Sequence, residues 1–222
     1  MVLAAIGLIG LVVAPMWAST ASDSNRSVCF NNLRLIGRGV QTWAGETSQH
    51  EPPWWVRISD GGTWPAAGTS KGAIAWYEYS ILSNELATPK ILACPGDNGV
   101  KPAQEWNVYT SSGYRGKATS YNLGIHSVTE SPRAFLCGDL NLRFDYAVAS
   151  GCAAGVTGFF GVSLISNTAL AWTNGVSHGD RGHALLNDGS VEFTSTPRVR
   201  QLIFSPEADG FNGGGSHFMS AR

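Results

Sequence analysis

The 222-residue sequence predicts an α+β protein, a long N-terminal helix followed by a β-rich head with loop-rich insertions. Three observations carry that prediction. An apolar run opens the chain and gives way to a helical period, Pro and Gly punctuate the remainder densely, and "HALLNDGSVEFTS" (183–195) reads as a hairpin. The division falls at residue 47: residues 1–47 are expected to form the helix and residues 48–222 the head.

The opening run, "MVLAAIGLIGLVVAPMW", is apolar from Val2 to Val13 and carries no charge before Asp23. A membrane-spanning helix needs about 20 apolar residues, so the run is short for that role. A signal peptide fits its length and the small Ala18 before Ser19, but the basic leading segment of such peptides is absent. A third reading is a membrane helix whose first turn or two precede Met1. Beyond "ASTASDSNRS", Cys29, Leu33, Ile36, Val40 and Trp43 recur at helical spacing, while Arg34, Arg38 and Gln41 fall elsewhere. That stripe predicts an amphipathic helix over 27–44, ending near Gly45, with the five residues as its packing face.

In the head, "EPPWWV" forbids helix at its prolines and predicts an extended entry into the domain. "DGGTWPAAG" is loop, and "AIAWYEYSILSNEL" predicts a shorter helix closed before Pro89. "TSYNLGIHSV" and "RAFLCGDLNLRF" read as short strands. In the hairpin, Val191 and Phe193 alternate with Glu192 and Thr194 after an Asn-Asp-Gly-Ser turn. Residues 205–217, "SPEADGFNGGGSH", are predicted to be a Gly-rich loop.

Composition narrows the class further. Fifteen Lys and Arg balance sixteen Asp and Glu, so no net field recruits nucleic acid. Charged residues make up 14%, below the roughly 25% of ordinary soluble domains, whereas Gly reaches 27 and Trp 8. This balance suits an extracytoplasmic protein. Cys29, Cys94, Cys137 and Cys152 form no C-x-x-C pair, which disfavours a zinc ribbon or a redox motif. Their wide spacing fits an oxidising compartment. Of three possible pairings, Cys29 with Cys94 and Cys137 with Cys152 is the expectation; the alternative is four buried reduced cysteines acting as small apolar residues.

The densest set of chemistry-bearing residues is "SHGDRGHALLNDGSVEF" (177–193). His178, Asp180 and His183 form H-x-D-x-x-H, a donor set suited to zinc, but Gly179 and Gly182 argue against the helix that would align them. Calcium held by Asp180, Asn187 and Asp188 is the stronger metal candidate, because Asp- and Asn-rich turns offer hard oxygen ligands. A plain turn explains the same residues: Gly189 takes positive φ, and Asp188 and Ser190 bond the local backbone. No G-x-S-x-G or S-x-x-K motif occurs, and "GRG" (37–39) follows no strand, so neither nucleophilic catalysis nor a phosphate loop is indicated. No enzymatic activity is expected. Trp54, Trp55, Trp64, Trp76, Trp106 and Trp172 offer an alternative function, a secreted module stacking glycans on exposed rings centred on Trp54 and Trp55.

Four stretches, "CFNNLRLIG" (29–37), "LACPGD" (92–97), "TSYNLG" (119–124) and "SHGDRGHALLNDGSVEF", occur in an order that resembles the prepilin-type, pseudopilin-like proteins of Planctomycetes and Verrucomicrobia. Their signature is a His, nine residues, then Asp-Gly, and His178 with Asp188-Gly189 has that spacing. The resemblance implies a type IV pilin-like fold, the long helix packed on a small antiparallel sheet. It also implies a structural role: self-assembly into a pilus or type II secretion pseudopilus, anchored in the inner membrane with the head in the periplasm or at the cell surface. Related pseudopilins hold calcium in a C-terminal loop. Members begin with a basic leader, a Gly or Ala cleavage point, a methylated Phe and a glutamate at the fifth mature position. No acidic residue precedes Asp23, and the peptidase site and the assembly glutamate are absent, so the expectation is a start upstream of Met1, the alternative being a copy that has lost processing.

Overall fold

The computed structural model describes residues 2–64, 75–125, 131–143, 147–152, 156–163, 170–174, 177–204 and 217–219. Helix α1 runs over Val2–Glu46. Cys29, Leu33, Ile36 and Val40 are buried along it and Trp43 packs half-buried against the same core. Arg34, Arg38 and Gln41 face solvent, as the helical period requires. Full burial of each aliphatic side chain contributes about 1.5–3 kcal/mol. The glycines of "GRG" are explained by close packing: a Cβ at Gly37 would lie 3.0 Å from Leu185 Cδ1, and one at Gly39 would collide with Leu86. Among the described residues, no helix is long and apolar enough to cross a membrane.

After α1, Pro53–Trp55 form a 3-10 turn, where an extended segment was expected. Proline tolerates the first turn of a helix, because its missing N–H is one that would be unpaired there anyway. The expected second helix is α2 (Ala75–Ile81) followed by α3 (Ser83–Leu86). A 3-10 turn at Pro89–Leu92 leads to Cys94, and α4 (Trp106–Tyr109) is a single turn.

Among the described residues nine strands follow: β1 (Tyr121–Gly124), β2 (Phe135–Asp139), β3 (Leu142–Arg143), β4 (Ala147–Cys152), β5 (Val156–Ser163), β6 (Ala171–Trp172), β7 (Arg181–Leu186), β8 (Val191–Ser195) and β9 (His217–Met219). Seven of them build one antiparallel sheet in the order β4-β5-β9-β1-β2-β7-β8, while β3 and β6 pair separately. The expected sheet was smaller, because β4, β5 and β9 were not read as strands. Of the Gly-rich stretch 205–217, only His217 lies within the described residues, and it opens β9.

Both faces of the central strands are covered. Leu123, Leu136 and Leu185 join the core under α1 and α2. Phe135, Ala184 and Leu186 join a second core with Trp172 and with Val199 and Leu202 of α5 (Thr196–Phe204). That double cover is why every residue of β2 is buried, although an antiparallel sheet often leaves one face wet. The β7–β8 hairpin forms as expected, with Gly189 at φ 81° and the Asp188 carboxylate accepting from the Ser190 N–H and hydroxyl.

Candidate functional site: a buried histidine–aspartate cluster on a disulfide

One turn of α1 delivers Cys29, and the segment after the Pro89–Leu92 turn delivers Cys94; the two form a disulfide. The C-terminal end of β2 supplies Asp139, the segment entering β7 supplies His178, and β7 itself supplies His183. All five side chains are buried. Asp139 Oδ2 accepts from the His183 backbone N–H at 2.7 Å and from its Nδ1–H at 2.9 Å. Because a carboxylate oxygen accepts, His183 carries its proton on Nδ1.

His178 Nε2 lies 3.7 Å from Asp139 Oδ2 and 3.5 Å from Cys94 Sγ, and the two imidazoles meet edge-on with centroids 5.0 Å apart. Burial, the largest influence, holds His178 below its usual pKa; Asp139 opposes that shift, while His183 and Arg26 reinforce it. Phe193 of β8 closes one side, its ring centroid 4.9 Å from that of His183, with the Arg26 guanidinium 5.1 Å from the Phe193 centroid.

The four family-like stretches converge here. Asn32 Nδ2, one turn after Cys29, donates to the Ala93 carbonyl and to the Tyr121 hydroxyl, both at 3.2 Å. Asp97 accepts from the Ser120 hydroxyl at 2.8 Å. Asn141 Nδ2 donates to the carbonyls of Gly179 (3.0 Å) and Arg181 (2.8 Å), fixing the segment that carries His178. The His-x9-Asp-Gly spacing acquires a physical meaning as the length of β7. His178 meets the disulfide beside Cys29, and at the far end Gln41 donates to the Asn187 carbonyl at 3.0 Å. Twelve residues of α1 rise about 18 Å, close to the roughly 20 Å of a six-residue strand.

Several expectations are corrected. The cysteine expected to bond Cys152, Cys137, is a free thiol buried against the Tyr79 hydroxyl at 3.0 Å. Its strand β2 and the β4 strand of Cys152 stand four positions apart in the sheet, roughly 19 Å at ordinary strand spacing, and a disulfide needs Cα atoms within about 7 Å. Asp180 precedes β7 whereas Asn187 and Asp188 follow it, so one calcium ion cannot touch all three. His178 and His183 do come together, but their acidic partner is Asp139; Asp180 is exposed.

Trp54, the expected centre of a glycan platform, is 1% exposed, and Trp76 and Trp172 are buried as well. Trp55, which donates its indole N–H to the Ile125 carbonyl, is half-buried, as are Trp64 and Trp106. The sequence reading missed Asp139 and Asn141. A carboxylate ending the otherwise apolar run "FLCGD" was the signal for the first, since a charge in a buried strand demands a partner.

Compared with protein-family models, with curated proteins and with solved structures, the chain matches none.

Proposed function

We propose that the protein is a pilin-like structural subunit that assembles into a filament of the type IV pilus or type II secretion pseudopilus kind through α1, with its head in the periplasm or at the cell surface. The observation that carries this reading is the reach of α1. At 45 residues it extends about 67 Å, while its buried stripe runs from Cys29 to Val40. Upstream of that stripe Asp23, Ser24, Ser27 and Val28 are exposed, and the helix continues back through the apolar sequence from Val13 to Val2. A helix that outreaches its own head, with an apolar leading half, suits bundling with copies of itself and insertion in a lipid phase. The disulfide and the histidine–aspartate cluster then serve to fix α1 to the sheet at one end of β7.

Shearing of native cells tests the proposal. The protein is expected in the sheared, sedimenting fraction together with filaments seen by electron microscopy. Replacing Leu8 and Leu11 by Asp should remove it from that fraction while the secreted head still folds. Recovery of the unaltered protein only as a soluble monomer contradicts the proposal.

A further inference from the structure

We infer that Cys29, Cys94, Asp139 and His178 form a divalent-metal site of the zinc class when a dithiol reductant opens the disulfide, so that the lock between α1 and the Cys94 segment exists in an oxidised and a metal-held form. One donor atom from each of the four buried residues lies within 4.8 Å of the others. Around a tetrahedral zinc ion, with bonds of about 2.3 Å to sulfur and about 2.0–2.1 Å to nitrogen or oxygen, nitrogen and sulfur ligands stand about 3.6 Å apart and nitrogen and oxygen about 3.4 Å. His178 Nε2 is 3.5 Å from Cys94 Sγ and 3.7 Å from Asp139 Oδ2. These two pairs already stand close to ligand spacing; to close on a metal the sulfurs must part, and the widest pair of the cluster, within 4.8 Å, must draw in.

A second observation points to a cation. Asp139 is fully buried, and among the described residues its Oδ1 has no hydrogen-bond partner, a costly arrangement for a carboxylate oxygen. Among the described residues His178 Nε2 has only a disulfide sulfur, a weak partner, at hydrogen-bonding range. The outer shell is present: His183 Nδ1–H donates to Asp139, as a carboxylate ligand is ordinarily supported. A groove of about 540 Å³ lined by Cys94, Asn32 and Asp97 gives the cation a way in.

The chemistry balances as follows. The dithiol passes two electrons and two protons to the Cys29–Cys94 bond and is itself oxidised to its disulfide. The two new thiols lose their protons to solvent as the thiolates take up the metal.

The test is a cobalt(II) titration of the full chain, before and after anaerobic reduction with dithiothreitol and its removal. The oxidised protein is expected to show no thiolate-to-cobalt absorption. The reduced protein should bind one equivalent with the visible bands of tetrahedral cobalt, His178→Ala should weaken binding about tenfold or more, and Cys137→Ser should leave it unchanged. Zinc should raise the melting temperature of the reduced unaltered protein and not that of the oxidised one, a reading that needs no variant. Absence of that shift, cobalt binding no tighter than in the Cys29→Ser/Cys94→Ser double variant, or undiminished binding by His178→Ala would overturn the inference.

Discussion

Asp139 and Glu78 are both carboxylates sealed from water, one in β2 and one in α2, and they are held differently. Asp139 receives two N–H donors on one oxygen, from the backbone and ring of His183, and sits beside a second histidine. Glu78 receives one hydroxyl, from Thr63 at 2.8 Å. Burial pushes the Glu78 carboxyl up to about 7, and the Thr63 bond only partly offsets it. A carboxylate with nitrogen donors from a neighbouring strand anchors the fold, whereas one with a lone hydroxyl partner becomes a titrating weak point near neutral pH.

Adding a buried carboxylate with no donors at all sharpens the contrast most. Ile36→Asp places a charge on the fully buried stripe of α1 and is expected to cost more than about 4 kcal/mol, enough to release the helix from the head. A urea denaturation midpoint equal to that of the unaltered protein would refute the packing. Next in size, Asp139→Ala leaves both His183 donors unpaired and should lower unfolding stability by about 3–5 kcal/mol in the same assay.

Glu78→Gln acts in the other direction. Because the folded-state pKa of Glu78 is raised from 4.5 to about 7, the unaltered protein keeps that group's full stability below pH 4.5 and loses it as pH rises through 7. The glutamine variant should be more stable at pH 8, by up to roughly 3 kcal/mol, with the difference vanishing toward pH 4.5. Melting curves at both pH values measure it, and a difference independent of pH would contradict the assignment. The smallest effect is expected at Glu192, whose carboxyl is held low by hydrogen bonds from Arg198 and then by the charges of Arg198 and Arg133. It is partly exposed on the edge strand β8, so Glu192→Gln should cost less than about 1 kcal/mol, and less again in high salt.

The same pair of carboxylates shows what could be read from the sequence. The α1 stripe was legible because a helix repeats every 3.6 residues, so Cys29, Leu33, Ile36 and Val40 declare a shared face without reference to the rest of the chain. The β7–β8 hairpin was legible because Asn-Asp-Gly-Ser specifies its own turn chemistry. Neither carboxylate's surroundings have a local signature. Asp139 meets His183 only because β2 and β7 are neighbours in the sheet, and Glu78 meets Thr63 only because α2 folds back on the Pro53–Trp55 turn.

The two histidines singled out in the sequence lie together, but their acidic partner is Asp139, their neighbour in space, and not Asp180, their neighbour in sequence. The Cys29–Cys94 bond was expected and is present, while Cys137 turned out to be a core thiol, because the order of the sheet, invisible in the sequence, parts it from Cys152. Strand β9 was missed for a related reason. Three residues beside a Gly-rich run carry too little pattern, and their place between β5 and β1 comes from the partners that receive them. In α5, Thr196 followed by Pro197 did offer a helix-start signal.

The central claim is that α1 is an assembly helix, and mass spectrometry of the mature N-terminus of the protein from its native cells tests it most directly. The account predicts a methylated aromatic residue as the first residue, the mark of prepilin processing, with the apolar half of α1 retained behind it. A mature start at or near Ser19 would contradict it, because cleavage there removes the apolar half of α1 on which assembly depends.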